Sequence, residues 1–192
     1  MDRRELLKMI AAATGGVVIG GEFFLAGCKN PEAEVGTSAT FTESDIAFLD
    51  EVAETIFPKT STPGAKDAKV GQFMTVMVND CYEKKDQDAF HAGMKSLNEA
   101  CKKMHGHDFM NAEPAHRKEL LVALDKERAD YQKNKKKEDP SHYFQYFKQL
   151  TITGYFTSKE GRTGATRYEP VPGKYIGDLD YKKGDKIFTG LN

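Results

Sequence analysis

Hydrophobic residues recur at helical spacing along most of the chain beyond residue 40. The first such run begins at Thr42, which has the side chain of a helix N-cap, and Asp45 follows three positions later as in a capping box. Phe41 and Ile46 are spaced as a hydrophobic staple, and Pro58 stops the pattern. The run therefore predicts a first helix, with apolar positions at Ile46, Leu49, Val52, Ala53 and Ile56.

The same periodicity predicts four further helices. They lie at about 67–82, 87–104, 114–133 and from 141 to just before 161. After Gly161 the residues are rich in Gly, Pro, Tyr and Lys and have no sustained period. We therefore expect an all-α fold: one helical-bundle-like domain of about five helices (41–161) with an irregular C-terminal tail (162–192). A tail of this length either wraps the domain or docks on another protein.

The first residues have the layout of an export signal. Arg3 and Arg4 precede Leu-Leu-Lys, and a Gly/Ala/Val-rich apolar stretch runs from 9 to 27. Glu22 interrupts that stretch, which disfavours a permanent membrane helix. Arg-Arg-x-Leu-Leu-Lys resembles the twin-arginine signal, whose pathway exports folded proteins, and ordinary export of an unfolded chain is the alternative.

The end of this stretch resembles a bacterial lipobox. Leu-Ala-Gly precedes Cys28, whose thiol would be acylated and which, once residues 1–27 are removed, would become the first residue of the mature protein. Residues 28–40 are polar and contain Pro, Gly, Ser and Thr, so they predict a flexible tether. The residue after Cys28 is not aspartate, and an aspartate at that position is the usual cue for retention at the inner membrane. We expect a protein in the cell envelope, on the periplasmic side, anchored to a membrane by lipid.

Composition narrows the possible functions. In 192 residues, 28 Lys and Arg nearly balance 29 Asp and Glu, so no basic field favours nucleic acid. The sequence has no Gly-x-Gly-x-x-Gly turn, no Gly-Lys-Ser/Thr phosphate loop and no Cys-x-x-Cys-His haem motif. These observations argue against an autonomous NAD, ATP or c-type haem enzyme.

Two groups of residues are candidates for site chemistry. Cys81 and Cys101 fall on apolar faces of consecutive predicted helices, and they form either a disulfide or two buried thiols. The cluster His-Gly-His-Asp at 105–108 contains metal-ligand types, but its glycine favours a helix end. The remaining candidates lack a catalytic setting, so we expect no catalytic or metal site: His91, His116, His142 and Ser158.

Two distinctive segments lie near the C-terminus. Residues 154–158 read Gly-Tyr-Phe-Thr-Ser, and residues 168–175 read Tyr-x-Pro-Val-Pro-Gly-x-Tyr. Together with the Phe-Thr-x-x-Asp start and the Ile-Phe-Pro end of the first helix, and with the twin-arginine leader, they resemble the gluconate 2-dehydrogenase subunit 3 family. The resemblance covers roughly residues 40–176.

The resemblance implies a non-catalytic small subunit. Its partner would be a large FAD-dependent dehydrogenase of the glucose–methanol–choline type, in some complexes joined by a cytochrome c subunit. The FAD would sit in the partner, and this chain would bind no cofactor. Family members are thought to help the large subunit mature and cross the membrane, and twin-arginine export suits a flavoprotein loaded in the cytoplasm. The lipobox departs from the simplest family pattern, and a lipid anchor there would hold the complex at a membrane.

The aromatic and arginine residues near the C-terminus form the predicted partner interface. We expect residues 153–176 to dock on the flavoprotein, because aromatics and arginine are common interface anchors. About half of the aromatic residues at 143–156 would belong to the core. The interface residues are Tyr155, Phe156, Arg162, Arg167, Tyr168, Pro172 and Tyr175. The alternative function is a stand-alone periplasmic scaffold or binding lipoprotein.

Overall fold

The computed structural model describes residues 41–136, 139–171, 173–174 and 176–190. Within these residues the fold is all-α, as predicted, and contains five α-helices. The helices are α1 (Glu43–Ile56), α2 (Val70–Cys81), α3 (Lys84–His105), α4 (Pro114–Asn134) and α5 (Tyr143–Thr157). A short 3-10 turn (Phe109–Asn111) precedes α4, and a π-helical turn (Gly161–Ala165) follows α5. Two short strands complete the described chain, β1 (Arg167–Glu169) and β2 (Phe188–Gly190).

Helix α1 begins at the capping box that the sequence predicts. The Asp45 N–H donates to the Thr42 hydroxyl at 3.2 Å, and the Thr42 N–H donates to the Asp45 carboxylate at 2.9 Å. The capping box thereby satisfies the backbone N–H groups of Thr42 and Asp45. Phe41, just before the cap, stacks on His91 and meets Phe90 edge-on, which attaches the start of α1 to α3.

Helix α5 lies at the centre of the bundle and contacts each of the other four helices. Its buried residues form one broad stripe, and Phe147 meets Phe90 of α3 edge-on at 4.7 Å between ring centroids. The other helices each bury one apolar stripe at helical spacing. The largest fully buried side chains are Tyr155, Phe90, Phe109, Phe144, Phe147, Leu49, Met74, Leu97 and Leu120.

Helices α1 and α2 approach closely at Gly71. A Cβ atom there would lie 2.7 Å from the Ile46 carbonyl oxygen, so the backbones could not keep this spacing around a larger residue. The Gly71 N–H donates to the Asp50 carboxylate at 2.8 Å. Burial raises the pKa of Asp50, and the hydrogen bond from Gly71 partly offsets that effect.

The C-terminal tail is more ordered than the sequence indicates. Helical structure continues past Gly161 as the π-helical turn, and β1 then pairs with β2 in parallel, with Arg167 opposite Phe188. The loop between the strands (170–187) is otherwise irregular where described. Lys186 holds this loop to the π-helical turn by donating to the Gly164 carbonyl at 2.6 Å.

Cys81 and Cys101 are both free thiols, so of the two alternatives the disulfide is wrong, and only Cys101 is buried. Cys81 is the exposed last residue of α2, whereas Cys101 is fully buried in α3. An α-helix rises about 1.5 Å per residue, so Cys101 lies about 25 Å along α3 from Lys84. A disulfide requires Cα atoms within about 7 Å of each other. Cys81 is close to Lys84 in sequence, at the opposite end of α3.

We predict that the two thiols differ strongly in reactivity. Burial raises the pKa of Cys101, which further disfavours its thiolate. In the native protein, iodoacetamide should alkylate Cys81 roughly a hundredfold faster than Cys101, which requires an opening of the fold. Peptide-level mass spectrometry before and after denaturation measures both rates. A Cys81–Cys101 linked peptide in unreduced protein would contradict the structure.

No helix in the described ranges is both long enough and apolar enough to cross a membrane.

Candidate docking surface

Tyr155 belongs to the core, so its assignment to the partner interface is wrong. Its side chain is 1% exposed, and its hydroxyl donates to the Pro63 carbonyl at 2.7 Å. Its ring stacks on Phe57 at 4.6 Å. Tyr155 therefore ties α5 to the segment after α1 and is not available to a partner.

The neighbouring residues Phe156, Arg162 and Tyr168 do lie together at the surface. Phe156 is 36% exposed and meets Phe57 edge-on. Arg162 donates from Nε to the Phe156 carbonyl at 3.3 Å, and its guanidinium lies 5.7 Å from the centre of the Tyr168 ring. This arrangement connects the end of α5, the π-helical turn and β1 in one surface.

Arg167 extends this surface along β1. Its guanidinium lies 5.6 Å from the centre of the Phe188 ring, on the neighbouring strand. Behind the strands, Thr166 donates to the Arg162 carbonyl at 2.6 Å and shares a 2.7 Å hydrogen bond with the Thr189 hydroxyl. The strand pair is thus held against the π-helical turn.

Several predicted residues lie outside the described part of the chain. They are Arg3 and Arg4 of the export signal, Cys28 of the lipobox, and Pro172 and Tyr175 of the interface. Their roles remain predictions.

The structure adds a set of exposed apolar residues that were not named among the predicted interface residues, and most of this set lies beyond the predicted docking segment 153–176. Most of them follow residue 175 and surround a cleft of about 720 Å³ in the tail. The sequence contains a weak signal for them, because isolated large apolar residues alternate there with charged ones and glycines. The exposed residues are Val171, Ile176, Leu179, Tyr181, Ile187 and Phe188. We call them, together with Phe156, Arg162, Arg167 and Tyr168, the tail surface.

The cluster at 105–108 forms a helix end. His105 is the last residue of α3, and Gly106 caps the helix with a φ of 77°. Asp108 accepts hydrogen bonds from Asn98 and Lys102, which lower its pKa. Within the described ranges, no three His, Cys, Asp or Glu side chains are grouped so that they could hold a metal.

The other histidines and Ser158 also make structural contacts. The His116 ring stacks on His105 at 4.4 Å, and His142 Nδ1 accepts from the Phe144 N–H at the start of α5. Ser158 donates to the Tyr155 carbonyl at 2.7 Å and accepts from the Gly161 N–H at 2.9 Å. The serine hydroxyl therefore connects α5 to the π-helical turn.

A second concavity, of about 270 Å³, lies among α1, α4 and α5. Its charged rim is internally paired, because Asp125 accepts from both Lys148 at 2.8 Å and Arg128 at 2.7 Å. Burial opposes ionisation of Asp125, but these two hydrogen bonds outweigh it and lower the pKa. Asp125 thus partly neutralises the cations at the rim of this concavity. The tail surface is the more exposed apolar region of the two.

The chain belongs to the gluconate 2-dehydrogenase subunit 3 family, whose model matches residues 43–173. The match includes all five described helices, the π-helical turn and β1, and it ends before β2. No curated protein and no solved structure matches the chain.

Proposed function

We propose that this chain is the non-catalytic small subunit of a membrane-associated, FAD-containing dehydrogenase that oxidises a sugar or sugar acid. The observation that carries the proposal is the family match over residues 43–173. The tail surface supports it, since exposed apolar side chains around a cleft are typical of interaction sites on folded proteins. Aromatic residues with adjacent arginines are also common anchors of protein interfaces.

In this proposal the two subunits have separate tasks. The large subunit would hold the FAD, which would supply the redox chemistry. This chain binds the large subunit through the tail surface, directs its export through Arg3 and Arg4, and attaches it to a membrane through lipid on Cys28. Because the twin-arginine pathway exports folded cargo, the flavoprotein crosses with its cofactor already in place.

The test is affinity capture of the tagged full chain from its native membranes in mild detergent. We expect a co-eluting large subunit with yellow flavin absorbance and dye-linked oxidation of a sugar or sugar acid. A colourless chain that elutes alone would contradict the proposal and favour the stand-alone scaffold or binding lipoprotein.

A matched variant tests the escort role separately. In the Arg3→Lys plus Arg4→Lys variant, both this chain and the flavoprotein should accumulate in the cytoplasm, because the partner depends on the signal carried here. The charge of the segment is unchanged, so general electrostatic effects are controlled. A flavoprotein that still reaches the periplasm would exclude the escort role while leaving the subunit role intact.

A further inference from the structure

The C-terminal segment 176–190 is attached to the domain without a core of its own. Every residue from 176 to 188 is exposed, and Thr189 is half-buried. The buried hydrophobic residues of the described chain all lie between Phe48 and Tyr155. Burial of apolar area is the main source of folding stability, so detaching this segment exposes no part of that core. We call residues 176–190 the strap.

Hydrogen bonds at exposed positions hold the strap in place. Its strand β2 pairs with β1 over three residues, and the Arg167 N–H donates to the Ile187 carbonyl at 2.9 Å. The Lys186 ammonium donates to the Gly164 carbonyl at 2.6 Å. Such bonds exchange with bonds to water at little net cost, and a two-stranded sheet is only marginally stable by itself. The strap is therefore attached less firmly than the helices are to one another.

The remaining attachments of the strap reach the same short segment of the chain. The Thr189 and Thr166 hydroxyls share a hydrogen bond at 2.7 Å, and the Arg167 guanidinium lies 5.6 Å from the centre of the Phe188 ring. On the other side of this contact, Thr166 donates to the Arg162 carbonyl, a bond that does not involve the strap. Because all these contacts fall on residues 164–169, we expect them to form and break together.

We infer that the strap is a conformational device, which opens from β1 as one unit and closes again while the five helices stay folded. Local openings of this kind involve segments with few buried apolar contacts and exposed hydrogen bonds. The family match ends at residue 173, before the strap. Opening divides the tail surface into two parts. The part that leaves with the strap is Ile176, Leu179, Tyr181, Ile187 and Phe188, and the part that stays is Phe156, Arg162, Arg167, Tyr168 and Val171.

The complete tail surface exists only while the strap is closed. A partner that needs the complete surface binds the closed state, so its binding is coupled to closing. Its apparent affinity falls in proportion to the closed fraction. For the large dehydrogenase subunit this coupling rests on the proposed function, whereas the opening of the strap does not.

Hydrogen exchange of the isolated full chain tests the opening without any partner. The Arg167 amide, which is bonded to the strap, should exchange at least about a hundredfold faster than the amide of Thr151, after correction for intrinsic rates. Thr151 is fully buried in α5. Far-UV circular dichroism under the same conditions should show intact helices. Equal corrected rates at Arg167 and Thr151 would mean that strap and bundle open together, which would contradict the inference.

A reversible lock tests whether exchange at Arg167 requires the strap to open. The lock is Thr166→Cys plus Thr189→Cys, since the two hydroxyls are close enough for a disulfide to replace them. Cys81→Ser accompanies it, because Cys81 is an exposed thiol. The oxidised form should slow exchange at Arg167 at least about tenfold and leave the helices unchanged, and the reduced form of the same protein is the control. An unchanged Arg167 rate in the oxidised form would overturn the inference.

A second variant loosens the strap without altering the tail surface. Lys186→Met removes the bond to the Gly164 carbonyl, so exchange at Arg167 should become severalfold faster and capture of the flavoprotein should fall. Lys183→Met is the matched control, because it removes the same charge from the same loop and leaves the Lys186 bond in place. Adding the oxidised lock to Lys186→Met should restore both the slow exchange and the capture.

The outcomes separate this inference from the function beneath it. If the wild-type chain captures no flavoprotein, the proposed function fails, whereas the exchange rate at Arg167 still decides whether the strap opens. If the oxidised lock captures less flavoprotein than its reduced form, docking takes place in the open state and the coupling to closing is overturned.

Discussion

Arg117→Ala should destabilise the domain by about 2–3 kcal/mol, because one side chain connects α1, the 3-10 turn and α4. Its guanidinium donates to the Phe109 and Met110 carbonyls at 2.9 and 2.7 Å and pairs with Glu51 of α1. Alanine would leave both carbonyls without this donor. Lys66 also pairs with Glu51, so the carboxylate would keep one cation.

Urea unfolding followed by circular dichroism measures this effect. A thermal melt followed by the same signal should show a melting temperature lower by roughly 5–10 °C for a domain of this size. Arg117→Lys should recover only part of the loss, because an ammonium lacks the guanidinium fork. Lys84→Ala is the control, since it breaks an exposed pair with Asp88 and should cost at most about 0.5 kcal/mol. Equal urea midpoints for Arg117→Ala and Lys84→Ala would contradict the structural role.

The helices were predictable because local sequence signals agree with their packing. Thr42 with Asp45 starts α1, Pro114 starts α4 and Gly106 ends α3, so caps and periodicity indicate the same boundaries. The errors occur where these signals disagree. Helix α3 begins earlier than expected, because its first turn contains Lys84 and its charged neighbours and no apolar position.

Helix α2 shows the opposite error. It begins later than the predicted residue 67, because Lys69 adopts a left-handed backbone with a φ of 52°. A positive φ at lysine has no signature in hydrophobic periodicity. The tertiary contacts after α1 override the local pattern there.

The docking residues were only partly predictable for a different reason. Aromatic residues crowd α5, and helical spacing does separate buried Tyr155, which shares a stripe with Phe147 and Thr151, from exposed Phe156. The assignment of Tyr155 to the interface did not use that spacing. The pairing of β1 with β2 joins residues about twenty positions apart through contacts that local propensity does not encode.

Tyr155→Ala should have the largest effect on stability, about 3–5 kcal/mol, because it removes a fully buried aromatic ring and its stacking on Phe57. It also leaves the Pro63 carbonyl without the tyrosine hydroxyl. Tyr155→Phe keeps the ring and should cost only about 1–2 kcal/mol. Urea unfolding of the isolated chain measures both differences without any partner present.

Phe156→Ala is the matched control, because it truncates the adjacent aromatic ring at a site that is 36% exposed. It should cost less than about 1.5 kcal/mol of stability, because the partly exposed ring returns less apolar area to water on unfolding. It should also reduce capture of the flavoprotein, because Phe156 belongs to the tail surface. Tyr155→Ala should instead shift unfolding to lower urea even when no partner is present. If Tyr155→Ala left the urea midpoint unchanged and abolished capture, Tyr155 would be an interface residue and its burial in the core would be refuted.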